Sequence, residues 1–372
     1  MTGDGGGIPR QAVFLVGGRG TRLGTLTNGT PKPLLTVGDR PFLDHLINEA
    51  IRFGIDRILL LCGYRAGDIA DRYAGCKFPG TDFDIVVETA PAGTGGAIRN
   101  AAGKLDDVFF LTNGDSYFDI NWLDLAVGER SGEWIGRLAL KAISPGGRYG
   151  RVSLDGSRID AFHAAAPDLT GPMNAGLYVL RRSVTGWIDK SPCSLEQDVF
   201  PRLTAAGLLM GRVYDRFFLD IGVPEDFGRA QVEVPDCLSR PAAFLPLACV
   251  LAHNGGFAGV KLLNDCGYYV FLTANRSDSP VLKSLSEGLR AVGAHFDDVE
   301  DLYADAGQAL GCMARWPVDR QGSFAVAERR DDLGRFVAAG LPALLLSGGS
   351  LLDLATAVIR AGITGWNQPL TR

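Results

Sequence analysis

The sequence lacks a long uninterrupted apolar run. Its longest apolar stretch, Leu341 to Ile359, is broken by Ser347, Gly348, Gly349, Ser350 and Asp353. A bilayer span needs about 20 nearly continuous apolar residues, so this segment reads as core. The opening MTGDGGGIPR lacks the charged-then-apolar layout of a secretion signal, and residues 1–9 read as a flexible tail. Cysteines are scattered and odd in number: seven, at 62, 76, 193, 237, 249, 266 and 312, with no C-x-x-C pair. Neither a disulfide framework nor a zinc knuckle is indicated. Basic charge is not concentrated: 37 Lys and Arg stand against 42 Asp and Glu, a net charge of −5. Without a basic stripe, the electrostatic case for a nucleic-acid partner is poor. The expectation is a soluble cytoplasmic protein with no nucleic-acid or membrane partner.

The 372 residues and 46% hydrophobic content suffice for two or three domains with ample cores. The 49 glycines point to many tight turns. Over the first 120 residues, short apolar runs alternate with amphipathic stretches. Runs at Ala12–Val16, Ile58–Leu61, Ile85–Val87 and Val108–Leu111 read as strands. Pro41–Phe53, Ala66–Tyr73 and Gly96–Ala102 read as helices, the first carrying an apolar stripe through Phe42, Leu43, Leu46, Ile47, Ala50 and Ile51. This predicts an α/β fold with a doubly wound, mainly parallel, Rossmann-like sheet, whose ligands bind beyond the carboxyl ends of the strands. The texture changes near Val234–Arg240 and a fresh apolar run opens at Ala242–Leu251, with alternation resuming through Tyr268–Leu272, Pro280–Ala291, Phe324–Ala327, Asp332–Ala339 and Ala343–Leu346. The boundary falls at about 236–241, separating a first domain (10–236) from a smaller α/β domain (241–372).

Directly after the first predicted strand comes Gly17-Gly18-Arg19-Gly20-Thr21-Arg22-Leu23, with Pro31-Lys32-Pro33 beyond it. The spacing is neither G-x-G-x-x-G nor G-x-x-x-x-G-K, so the dinucleotide and Walker readings fail. A glycine-rich turn still lets backbone N–H groups approach phosphate oxygens, and Arg22 and Lys32 add positive charge. Thr112-Asn113-Gly114-Asp115 and Asp220-Ile221-Gly222 each place a carboxylate at the end of an apolar run. Two such carboxylates facing one phosphate-binding turn suit Mg²⁺, which takes one or two carboxylates plus substrate phosphates.

GGRGTRL…PKP, NGDSYF, RYG, NAGLYVL, SLEQDVF and FLDIGVPEDF together resemble the sugar-1-phosphate nucleotidyltransferases over about residues 10–232. The wording of ETAPAGTGGAIRNA, NGDSYFDI, SLEQDVFP and DIGVPEDF is most similar to the D-glycero-D-manno-heptose 1-phosphate guanylyltransferases. The resemblance implies in-line attack of a sugar-1-phosphate oxygen on the α-phosphorus of an NTP, releasing pyrophosphate. Arg22 and Lys32 would hold the triphosphate, and Asp115 and Asp220 the Mg²⁺. Gly17, Gly18, Gly20 and Thr21 would form the nucleotide loop, while Glu88, Pro91, Gly93 and Thr94 lie where the family seats the base. Tyr149, Gly150, Asn174 and Glu196 fall at sugar-contacting positions. An ionised Glu88 only accepts hydrogen bonds, which suits the adjacent N1–H and N2–H₂ donors of guanine and leans towards GTP. Mannose 1-phosphate or another hexose 1-phosphate is the alternative acceptor, and a non-catalytic sugar-phosphate sensor the rival class.

The sequence departs from that pattern where many relatives carry a Glu-Lys pair that grips the sugar's phosphate. Here Ile159–Pro167 offers alanines at both places, leaving His163 or Lys141 as substitutes. The Pro of R-L-x-P-L-T is also absent from Leu23–Thr27.

Residues 242–360 are similar, more weakly, to haloacid-dehalogenase-type phosphatases of the heptose bisphosphate kind, through Phe244–His253, Phe271–Ser277 and Val326–Gly340. The positions of the catalytic Asp pair read Pro246 and Ala248; the Lys-Pro reads Trp316-Pro317; the Gly-Asp reads Ala327-Glu328, with Asp332 further on. Thr273 keeps the phosphate-binding hydroxyl, and the cysteines that bind zinc in some relatives are missing, with Cys312 as a leftover. Proline cannot attack phosphorus, so the resemblance implies a pseudo-phosphatase that supports folding, dimerisation or regulation, or binds heptose phosphates without cleaving them. Glu328–Asp332 reads as a solvated helix start and His45 as a packed, hydrogen-bonded histidine. Leu203, Ala206, Leu209, Met210 and Val213, with Trp122, Trp134 and Trp187, read as core or as subunit contacts in a homo-oligomer.

Overall fold

The computed structural model describes residues 7–75, 78, 80–128, 133–144, 148–166, 168–251, 255–274, 278–301, 310–346 and 349–361. Residues 1–6 of the tail, Cys76, Pro167, His253, Asn275, Arg276, Ser277, Ser347 and Gly348 lie outside them. The chain forms two compact units, Met1–Pro235 and Asp236–Arg372. No helix among the described residues is long and apolar enough to cross a membrane.

The first unit is built on nine strands: β1 (Gln11–Leu15), β2 (Arg57–Cys62), β3 (Asp82–Val87), β4 (Val108–Asn113), β5 (Gly136–Lys141), β6 (Arg151–Asp155), β7 (Arg158–His163), β8 (Met173–Arg181) and β9 (Leu209–Tyr214). Their order across the sheet is β3-β2-β1-β4-β8-β5-β9-β7-β6. β3, β2, β1 and β4 are mutually parallel, with helices α1 (Phe42–Arg52), α2 (Ala66–Tyr73) and α3 (Gly93–Asn100) in the connections. The other half is not parallel. β8 runs antiparallel to both β4 and β5, and β7 to both β9 and β6, so only β5 and β9 pair in parallel there. The sheet is therefore mixed, which corrects the expectation of a mainly parallel one. β6 and β7 form a hairpin joined directly at Asp155–Arg158, and such a short connection can only join antiparallel strands.

Parallel strands covered on both faces read as continuous apolar runs, and β1 and β2 are buried along nearly their whole length. One face packs Val13, Leu59, Leu61, Leu111, Leu138 and Tyr178 against Ile98, Phe200 and Leu203. Trp122 and Trp134 are buried and Trp187 packs on the same core, whereas Val213 is exposed. The buried stripe of α1 includes His45, whose Nε2 lies 2.9 Å from the Val37 carbonyl; burial lowers its pKa.

The second unit holds a wholly parallel five-stranded sheet: β10 (Arg240–Pro246), β11 (Tyr269–Ala274), β12 (Asp298–Asp301), β13 (Val318–Ala327) and β14 (Ala343–Leu345), ordered β12-β11-β10-β13-β14. Separate apolar clusters cover its two faces. The expected run Ala242–Leu251 divides at Pro246 into β10 and a short helix, Leu247–Leu251.

Candidate active site

In the first unit the chain turns one way from β1 to β2 and β3 and the other way to β4, so the crevice for a ligand opens at the carboxyl ends of β1 and β4. A cavity of about 250 Å³ lies there, lined by Leu15, Val16, Gly18, Gly20, Thr21, Arg22, Lys32, Pro33, Gly114, Asp115 and Gly222. The loop leaving β1 is pinned at its base: Val16 N donates to Leu61 O and Gly114 N to Leu15 O, both at 3.0 Å. A β-carbon on Gly18 would meet nothing within 4 Å, so this stretch of backbone stays open to an incoming group. Thr21–Thr27 then forms 3₁₀ turns behind Gly20, which sits in the left-handed region against the Lys32 stem.

Lys32 is almost fully buried and its Nζ lies 2.6 Å from Asp115 Oδ2, while Ser116 Oγ donates to Asp115 Oδ1 at 3.0 Å. Asp220 is brought alongside by a two-stranded ribbon in which Phe218–Asp220 pairs antiparallel with Ser116–Phe118. Ile221 N also donates to Asp115 O at 2.9 Å, tying the two aspartate turns together. Asp220 Oδ2 accepts from Tyr149 Oη at 2.8 Å and from Arg148 Nη2 at 3.0 Å, and its Oδ1 from Gly222 N at 2.5 Å. Burial would raise this carboxyl, but the Tyr149 and Arg148 hydrogen bonds outweigh it and hold the pKa below the ordinary range. Arg22 Nη2 comes within 3.6 Å of where a Gly222 β-carbon would sit. Two carboxylates on fixed backbone, each facing a cation, can hold a hard divalent ion that keeps some of its ligands from phosphate and water. Among the described residues no group of three or more metal-ligating side chains occurs, which leaves the two-carboxylate arrangement.

The residues expected at the base lie beyond β2. Gly17 and Gly63 pack backbone to backbone, and Glu88 Oε2 lies 3.2 Å from where a Gly63 β-carbon would be. Ala92 N donates to Glu88 Oε2 at 3.4 Å, yet burial dominates and raises the Glu88 pKa. Pro91 is exposed. Thr94 Oγ1 accepts from Leu195 N at 2.9 Å, and a β-carbon on Gly93 would run into the Cys193 carbonyl. These two residues thus brace α3 against the 193–195 segment.

The residues expected to contact the sugar form two groups. Asn174 Nδ2 donates to Tyr178 Oη at 2.9 Å and to Glu196 Oε1 at 3.1 Å, and Tyr178 Oη donates to Glu196 Oε1 at 3.3 Å. A shift of register between Asn174 and Tyr178 in β8 aims both side chains at Glu196, as a bulge does. Burial raises Glu196, opposed by the Tyr178 hydroxyl and reinforced by the charge of Asp115. Tyr149 instead joins the Asp220 cluster, and Gly150 allows close approach to the His163 carbonyl, 2.6 Å from a virtual β-carbon. Of the proposed lysine substitutes, Lys141 pairs with Asp215 at 2.7 Å and His163 Nε2 lies 2.7 Å from Ser153 Oγ.

Residues 11–236 match the family described as nucleotidyl transferase. The chain belongs to that family. The match ends at the boundary between the two units. A D-glycero-α-D-manno-heptose 1-phosphate guanylyltransferase of Aneurinibacillus thermoaerophilus is 31% identical over 60% of this chain and 98% of its own. A mannose-1-phosphate guanylyltransferase of Mycobacterium tuberculosis is 36% identical over 60% of this chain, which spans 64% of that relative's length. The crystal structure of HddC from Yersinia pseudotuberculosis with GMP-PN superposes with a TM-score of 0.54 at 28% identity, covering 60% of this chain and 99% of that one. The chain is accordingly a nucleotidyltransferase enzyme. Sequence reasoning passed over three residues that contact the candidate site residues, Arg148, Ser116 and Tyr178. All three sit inside motifs already quoted, but their contacts come only with the fold.

Proposed function

We propose that this nucleotidyltransferase moves a guanylyl group from GTP to a sugar 1-phosphate with Mg²⁺, releasing pyrophosphate. D-glycero-D-manno-heptose 1-phosphate is the first-choice acceptor, and mannose 1-phosphate or another hexose 1-phosphate the alternative. The observation that carries this reading is the meeting of Lys32, Arg22, Asp115 and Asp220 around one glycine-rich cleft. A bound Mg²⁺ would neutralise phosphate charge, held by Asp115 and Asp220. Lys32, released from Asp115, would then face the triphosphate, and the Gly17–Thr21 loop would supply backbone N–H donors. An acceptor phosphate oxygen forms a bond to the α-phosphorus as the bond to pyrophosphate breaks. Such a transfer needs positioning and charge stabilisation more than covalent help. Ionised Glu88 can accept from both guanine donors, which supports GTP. The Asn174–Tyr178–Glu196 cluster offers donors and acceptors to sugar hydroxyls. Mass detection of GDP-sugar after incubation with GTP and each candidate sugar phosphate tests this; products carrying another base would sink the guanylyl assignment.

For the second unit we propose a phosphatase-like ancestry with the chemistry lost. The parallel order β12-β11-β10-β13-β14 puts its crevice at the ends of β10 and β13. There the chain offers Pro246, Ala248, Ala327 and Glu328, where a phosphatase of this kind needs acidic groups. Cys249 Sγ lies 3.6 Å from Glu328 Oε1, and burial pushes the thiol up to about 12, away from nucleophilic use at neutral pH. Trp316 Nε1 donates to Asp298, and Thr273 Oγ1 is buried with no hydrogen-bond partner among the described residues. Asp332 lies in the first turn of the helix Arg330–Ala338. Release of inorganic phosphate from a sugar bisphosphate, lost when residues 241–372 are removed, would overturn the reading.

A further inference from the structure

The carboxylate Asp220 is held by a second cation, distinct from the Arg22–Lys32 pair in the glycine-loop cleft. Arg148 Nη2 lies 3.0 Å from Asp220 Oδ2, and its Nη1 is 2.7 Å from Asp226 Oδ2 on the helix Pro224–Leu238. Its guanidinium also stacks 4.8 Å above the Tyr149 ring and donates to Tyr149 Oη at 2.7 Å. The side chain keeps 35% of its surface exposed, and among the described residues Arg148 does not line the cleft that holds Gly18, Arg22 and Lys32. Asp220 thus has Oδ1 turned to Gly222, which lines the cleft, and Oδ2 turned to a planar, double-forked cation.

Two phosphate groups must meet at the Asp115–Asp220 pair if the reading above holds, and an in-line transfer brings them from opposite sides. Lys32 and Arg22 serve the cleft side. Of the two candidates for the acceptor's phosphate in β5 and β7, Lys141 is engaged with Asp215 and His163 with Ser153. Arg148 has the geometry the position asks for, since a guanidinium can bind phosphate through two parallel N–H groups. A divalent ion on Asp220 would repel the guanidinium from that carboxylate, while the Asp226 bond, shared with Arg229 at 3.0 Å, keeps it local.

We propose that Arg148 is the clamp for the acceptor's phosphate, parked on Asp220 until metal and sugar phosphate replace that contact. The assignment rests on the transferase reading. It makes Arg148 a competitor of the metal in the substrate-free protein and a ligand of the acceptor in the loaded one.

The test uses the full-length chain as wild type, Arg148→Ala and Arg148→Lys, each checked by thermal melting. Two quantities are read: the KM for each substrate, and Mn²⁺ affinity without substrate, by electron paramagnetic resonance. Arg148→Ala should raise the sugar-phosphate KM by about tenfold or more, as expected for loss of a charge-assisted pair, and leave the GTP KM within about twofold. It should also tighten Mn²⁺ binding, and Arg148→Lys should fall between it and wild type. An unchanged sugar-phosphate KM, or both KM values rising together with weaker Mn²⁺ binding, would overturn the clamp and leave Arg148 a loop prop. Wild-type protein that turns over no sugar phosphate would overturn the parent reading instead, and the Mn²⁺ titration would still decide the competition at Asp220.

Discussion

The Lys32–Asp115 pair is asymmetric, and that asymmetry has a measurable consequence. The Lys32 side chain is 8% exposed and the Asp115 side chain 35%. Asp115→Asn strands a buried ammonium, whereas Lys32→Met leaves a carboxylate that water and Ser116 Oγ can still serve. Breaking a fully buried pair costs about 3–5 kcal/mol, and the partial exposure of Asp115 reduces this to roughly 2. In a domain of this size that is a fall in melting temperature of about 4–8 °C for Asp115→Asn. Lys32→Met keeps the stem packed against Gly20 and should cost no more than about 1 kcal/mol. The double variant should be more stable than Asp115→Asn alone, because the stranded charge is gone. Activity should show no such asymmetry: both single variants should lose on the order of 10²–10³ in turnover. Calorimetric melts and pyrophosphate-release rates on the same preparations give all of these quantities. Lys32→Met more destabilising than Asp115→Asn would refute the burial argument, and Lys32→Met near wild-type turnover would refute the role of the ammonium.

Glycine positions separate fold from function. Gly93 has φ 74° and no room for a β-carbon beside the Cys193 carbonyl, so Gly93→Ala should lower the melting temperature by about 4 °C or more; Gly18→Ala, in open space, should melt as wild type yet bind nucleotide more weakly in a fluorescence titration. Glu88→Gln should reduce discrimination for GTP over other NTPs by roughly tenfold, because one guanine donor loses its acceptor. Since burial raises Glu88, the wild-type GTP KM should begin to climb at a higher pH on acidification than for an ordinary carboxylate, and Glu88→Gln should lack that limb. Glu196 is also raised by burial, so the stability of its protonated form is full at low pH and is lost as pH rises through its folded pKa. Glu196→Gln should therefore melt higher than wild type near pH 8 and alike near pH 4, while raising the sugar-phosphate KM.

The legible part of the first unit was β1 to β4 with α1 to α3, because strands buried on both faces leave unbroken apolar runs such as Ile58–Leu61. The antiparallel half is not legible, for the opposite reason. Strands such as Arg151–Asp155 and Arg158–His163 mix charged and apolar residues, and their pairing is set by distant neighbours. The stripe from Leu203 to Val213 is helix to Ala205, a turn at Gly207 and then strand β9, so one pattern spanned two elements. Asp115 and Asp220 could be found because glycine-flanked carboxylates at strand ends carry a local signature. Arg148 could not, since its meaning depends on Asp220, 72 positions away. Gly93 and Thr94, expected at the base, also brace the 193–195 segment, a contact that depends on residues about a hundred positions away.

The central claim is metal-dependent nucleotidyl transfer at the Asp115–Asp220 pair. Its most direct test is pyrophosphate release by the full-length chain, with four NTPs crossed against heptose and hexose 1-phosphates, with Mg²⁺ or EDTA, and with Asp115→Asn as the blank. The account predicts release with GTP and a heptose or mannose phosphate, abolished by EDTA and by the substitution. Release that persists in EDTA or in Asp115→Asn would contradict it. So would silence across the whole panel from a protein that still binds the ligands, which is the behaviour of a sensor.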